Sequence, residues 1–178
     1  MKKLLMVLAL LVSGLSISQN PLHDTILEQP YRHDTITDDF FDIETINAIM
    51  FEMVNEYRVE NGLEPCKIDT ALMRLANNHA EWMATNGILC HINDERVPNH
   101  TDHRKYNFSE NITIATTIQW ITHYSIATRA VRVWIGSPAH RNNILDPYAK
   151  YIGVGSFYRM TEKGQHEPYF VVQFRRFQ

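Results

Sequence analysis

The side chains able to bind a metal or move a proton are scattered along this chain rather than gathered in one motif, with nine histidines and only two cysteines present. Residue type alone singles out none of the nine histidines. A neutral imidazole is a natural ligand for a divalent transition metal, Zn²⁺ above all, at about 2.0 Å. A carboxylate can orient an imidazole or take a proton from water. Familiar catalytic signatures fail when tried. His166-Glu167-Pro168-Tyr169-Phe170 opens like a zincin motif, but its fifth residue is Phe, and Pro168 would break the helix that motif needs. Ser156 lacks the glycines of a nucleophile elbow, no glycine loop for phosphate is present, and neither Cys66 nor Cys90 has a nucleophile's surroundings. Ser137 stands three residues before His140. That spacing makes no dyad, and its hydroxyl could equally cap a helical turn beginning at Pro138.

The elements that must carry these residues follow from periodicity. Ile43, Ile46, Ile49, Met50, Met53, Val54 and Tyr57 recur at three- and four-residue steps and predict an amphipathic helix stopped by Gly62. Asp69 is a good N-cap for a second helix, whose stripe runs Leu72, Leu75, Ala76, His79, Ala80 and Met83 to a stop at Gly87. His79 therefore reads as a core histidine. A long polar loop over 91–108 precedes a β-prone run at 111–115. Ala127, Ala130, Val131 and Trp134 suggest a third helix ended by Gly136, Ser137 and Pro138, with a short turn after it. Near the end the period changes to two: Ile152, Val154, Ser156 and Tyr158 alternate with their neighbours, and 169–177 reads likewise. With Gly164 and Pro168 between them, these runs predict an antiparallel pair. Helices first and paired strands last make an α+β domain.

Lys2 and Lys3 precede an apolar run over 4–12 and then small residues. That order is the grammar of an export signal, and the run is well short of the ~20 residues a bilayer span takes. Residues 1–18 are thus expected to be a signal peptide, cleaved to leave a protein starting near Gln19, with no stable membrane anchor. Residues 19–42 are polar, carry Pro21 and Pro30, and read as an extended leader in which His23-Asp24-Thr25-Ile26 recurs as His33-Asp34-Thr35-Ile36. The domain then occupies 43–178. A net charge of −3, with its 17 Lys and Arg dispersed, argues against a nucleic-acid partner. Export would allow Cys66 and Cys90 to pair, but a helix some 27 Å long (~1.5 Å per residue) lies between them. They are expected to stay reduced; a bridge would need both connections to fold back along that helix.

Several segments together resemble one family. Asn55-Glu56-Tyr57-Arg58, then Asn61-Gly62-Leu63, ANNHAEWMA from Ala76, Ser109-Glu110-Asn111-Ile112, WIGSPAHRNNIL from Trp134, Ile152-Gly153-Val154-Gly155, and Tyr169-Phe170-Val171-Val172-Gln173-Phe174 occur in order across 43–177. In this the chain is similar to the CAP superfamily of cysteine-rich secretory proteins, antigen 5 and plant pathogenesis-related proteins, in the bacterial single-domain form. The resemblance implies a three-layer α-β-α sandwich with a central, largely antiparallel sheet, and a cleft with two histidines and two glutamates. Residue by residue, the histidines fall on His91 and His140 and one glutamate on Glu110. Ser137 stands where the second glutamate would, which undermines a two-carboxylate mechanism. The implied function is a secreted, extracellular or periplasmic module binding an external ligand, with a weak, exchangeable Zn²⁺ on His91 and His140. His100, Asp102 or His103 are further ligand candidates, although a solvated loop is the simpler reading of them. The alternatives are a metal-assisted, peptidase-like hydrolase in the same cleft, with Glu110 or Ser137 as its catalytic candidates, and a lipid or sterol binder. No nucleophile is identifiable, so the reading leans away from an enzyme.

Overall fold

A computed structural model describes residues 41–98, 107–115 and 122–176; the expected signal peptide, nearly all of the leader, and His100, Asp102 and His103 lie outside them. The first helix, α1 (Ile43–Glu60), starts at Asp42, whose carboxylate accepts the Thr45 N–H and hydroxyl. A two-residue strand, β1 (Lys67–Ile68), leads to α2 (Thr70–Asn86). Asp69 caps α2 by accepting from the N–H groups of Ala71 and Leu72, and Gly87 closes it at φ 65°, a left-handed conformation that suits glycine. Then come β2 (Phe108–Ile114), α3 (His123–Gly136), α4 (Pro138–Ile144), β3 (Ala149–Met160) and β4 (His166–Arg176). Thr122 and Ser125 form a reciprocal cap at the start of α3.

The four strands make one sheet in the order β1-β3-β4-β2, antiparallel except that β1 runs parallel to β3. Helices cover both faces, so the α-β-α sandwich holds. Alternation along β4 sends Phe170, Val172 and Phe174 into the larger core with Ile46, Ile49, Met50 and Val54 of α1 and Ile126, Val131 and Trp134 of α3. Tyr169 and Val171 point the other way, onto Ala76, Ala80 and Met83 of α2. Cys90, Ile92 and Val97 of the segment after α2 form a third cluster with Phe108. Both thiols are buried and free, Cys66 in the large core and Cys90 in that small one. Burial pushes the Cys66 thiol up to about 11.

Three details differ from expectation, the first being that β2 spans Phe108–Ile114 rather than 111–115. The strand β1 was not foreseen, since two residues carry no period. Pro168 lies inside β4 rather than in the connecting loop, paired with Tyr158. Its backbone faces the last rung toward β2, where its carbonyl accepts from the Ala115 N–H. The missing donor therefore costs the ladder almost nothing at that point.

Candidate functional site

The strand β2 lies at one edge of the sheet among the described residues, and successive side chains on it enter opposite layers. Glu110 points toward α2 and is 6% exposed. Its Oε2 accepts from His79 Nδ1 at 3.0 Å and from Gln173 Nε2 at 2.8 Å. Its Oε1 accepts from His91 Nδ1 at 3.0 Å and from the Ile92 N–H at 2.9 Å. Four donors thus converge on one carboxylate, and each comes from a different place: the middle of α2, the partner residue on β4, and two consecutive positions after α2. Burial alone would raise the Glu110 pKa. The bonds from His79, His91 and Gln173, with the His79 charge, more than offset it and hold the carboxyl at about 2.

The bond to Glu110 also sets the state of His91. With Nδ1 donating to a carboxylate, the neutral ring carries its lone pair on Nε2, and the side chain is 47% exposed. That bond raises the His91 pKa against the opposing effect of partial burial.

Asn111, the next residue, points to the opposite layer and stitches α4 to the strand. Its Nδ2 donates to the carbonyl of His140 at 2.9 Å, and its Oδ1 accepts from Asn143 Nδ2 at 2.7 Å. The Asn143 amide also reaches the Glu110 carbonyl at 3.4 Å. The far end of α4 is tied down by Arg58, whose buried guanidinium donates to the carbonyls of Ile144, Asp146, Ala149 and Glu64. His140 rides on this fixed helix with its Nδ1 buried and without a hydrogen-bond partner. Its pKa is lowered by burial and by the charge of nearby His91. His91 is thus bonded directly to Glu110, and His140 is tied through its backbone carbonyl to Asn111, the next residue of β2.

His79 is buried on the core face, as its stripe requires, but it is also one of the two imidazoles on Glu110. Periodicity could not show that role. The usable signal is that His79 interrupts an apolar stripe and Gln173 an apolar strand, and buried polar groups need partners. Ser137 joins α3 to α4 in extended conformation with no cap bond from its hydroxyl, so the capping alternative that the sequence left open is not the one adopted. Its backbone N–H donates to Trp134 O instead. Among the described residues no group of three or more His, Cys, Asp or Glu side chains could hold a metal ion. Of the two expected ligands, the His91 side chain is 47% exposed, whereas His140 Nδ1 is buried.

Comparison with known proteins agrees with this fold. The family model described as CAP, the cysteine-rich secretory protein family, matches residues 51–174. No curated protein matches the chain. Among solved structures, an outer surface protein from Borrelia burgdorferi is 23% identical with a TM-score of 0.54, over 77% of this chain and 97% of that one. An extracellular protein containing a SCP domain from Bacillus anthracis is 19% identical with a TM-score of 0.56, over 80% and 44%. A cysteine-rich secretory protein from Staphylococcus aureus is 19% identical with a TM-score of 0.53, over 76% and 40%. In the last two cases the chain spans less than half of the similar protein. No helix among the described residues is long and apolar enough to cross a membrane.

Proposed function

Since the chain belongs to the CAP family of cysteine-rich secretory proteins, we propose that it is an exported extracellular binding module, and that His91 and His140 hold a weakly bound, exchangeable Zn²⁺. The observation that carries the binding reading over hydrolysis is the saturation of Glu110. A water-activating base needs a lone pair free to reach substrate, whereas both oxygens of Glu110 are taken by four donors in a buried setting. Glu110 is suited to a different task. By accepting the Nδ1 proton of His91 it keeps Nε2 available and raises the basicity of that nitrogen, as carboxylates commonly do behind metal-bound histidines. A metal there would act as a Lewis acid toward an oxygen or nitrogen of the ligand. Two protein ligands, against the three or four of stable zinc sites, make the affinity low and exchange fast. The outer-surface and extracellular descriptions of similar structures support an external location, in line with the expected signal peptide.

Calorimetric Zn²⁺ titration of protein purified without chelator tests the site. Either His91→Ala or His140→Ala should abolish the binding heat, because one imidazole is a poor site. Glu110→Gln should weaken binding about 10-fold or more without removing it. Heat unchanged in both histidine variants would refute the metal site.

A further inference from the structure

A recess of about 550 Å³ opens beside this site, between the first residues of β2, the end of α4 and the segment that follows it. That volume falls within the ~300–1,000 Å³ of small-ligand sites. Its rim shares Asn143 with the network that stitches α4 to β2, so it is built on a fixed frame. The lining has an unusual balance. Among the described residues around it only Asp146 and Arg176 are charged, and they neutralise each other through a 2.7 Å bond. The described residues of the lining therefore offer a ligand no net charge. What it does offer is amides and an aromatic surface. Asn107 and Asn142 are exposed and present carboxamides, each able to donate and accept at once. Asn143 spends its Nδ2 on Asn111 and Glu110, which turns its amide oxygen into an acceptor for a guest. Tyr148 is 68% exposed, far beyond what packing asks of an aromatic ring. Its ring is held from one side by the Arg176 guanidinium, 5.7 Å from the centroid, which is itself anchored on Asp146.

A rigid, exposed ring beside carboxamides, with charge cancelled, matches one ligand chemistry: many hydroxyls on an uncharged frame with an apolar face of C–H bonds. We propose that this recess binds a short, uncharged oligosaccharide, with one sugar stacked on Tyr148 and neighbouring hydroxyls bonded to Asn107, Asn142 and Asn143. This supplies a ligand class for the binding module and does not depend on Zn²⁺, because none of these residues touches the proposed metal ligands' ring nitrogens. Among the described residues of the lining a charged glycan would lack a counter-charge, since Arg176 is already paired with Asp146.

The probes are cellotriose and tri-N-acetylchitotriose, titrated into isotope-labelled full-length protein and followed by amide and side-chain NMR shifts. At least one should bind with a Kd of roughly 1 mM or tighter, shifting the side-chain amides of Asn107 and Asn142. Tyr148→Ala should weaken that binding about 10-fold or more, as loss of a central aromatic contact does, while Tyr148→Phe keeps it. Tyr148 is exposed, so both variants should fold, which the unchanged remainder of the spectrum checks. Zn²⁺ titration of Tyr148→Ala should give the wild-type heat, separating this proposal from the metal site. No shift with either probe at about ten times that concentration, or undiminished binding in Tyr148→Ala, would overturn it. Preference for a sulfated oligosaccharide such as a heparin fragment would overturn it as well.

Discussion

At the scale of the residue, Glu110 matters most, because a carboxylate with four donors and 6% exposure is held ionised where it could not otherwise be. Its pKa sits near 2 in the folded protein against 4.5 ordinarily. Between those values the unfolded chain binds a proton that the folded one refuses, so Glu110 adds stability above pH 4.5 and loses it as pH falls toward 2. Glu110→Gln should cost about 3 kcal/mol or more, since it turns an amide donor toward groups that are donors already. Denaturant midpoints measured between about pH 5 and pH 2 should fall less steeply in the variant than in the wild type, its ionisable group having gone. Equal slopes would mean that other carboxylates govern acid unfolding. Sequence led to His91, Glu110 and His140 through the family resemblance; His79 and Gln173 were legible only as polar residues in apolar surroundings. Their meeting depends on chain separations of 31 and 63 positions, which local periodicity does not span.

At the scale of the element, what was legible is what local chemistry dictates. Asp69, Gly87 and the stripe between them mark α2 because caps and amphipathic spacing act within one helix. The strand β1 and the inclusion of Pro168 in β4 depend instead on neighbouring strands. The closeness of α2 to β3 is another such property. A Cβ on Gly155 would lie 2.3 Å from the Ala76 carbonyl carbon and the Asn77 nitrogen, and one on Gly153 2.3 Å from the Leu72 carbonyl carbon. Both obstacles are backbone, so no rotamer change relieves them. Gly155→Ala should therefore destabilise by about 3 kcal/mol and lower the thermal midpoint by roughly 6 °C or more. A midpoint within a degree or so of wild type would show that α2 can move off the sheet.

For the whole molecule, the order of elements already implied helices over an antiparallel sheet, and the layers follow from side-chain alternation in β4. The position of the two cysteines in separate cores has a direct test. Alkylation of denatured, unreduced protein should modify both Cys66 and Cys90, whereas protection of both in a monomer would require the chain around α2 to be arranged differently. Export predicts its own observable: intact mass of protein recovered outside the cell should correspond to a start near Gln19, and retention of residues 1–18 would contradict it.

The pairing of Glu110 with Gln173 across β2 and β4 has a consequence for how the chain reaches its fold. From Tyr169 to Val172 β4 is apolar on both faces, and a strand of that kind can be zipped to its neighbour out of step. A slip of one position would drive the carboxylate into the layer of Phe170, Val172 and Phe174, and a slip of two would strand it away from the Gln173 amide. Either mistake leaves a buried negative charge without donors, at a cost of several kcal/mol. The same anion that orients His91 therefore works as a proofreader, rejecting misaligned sheets as β2 and β4 first meet.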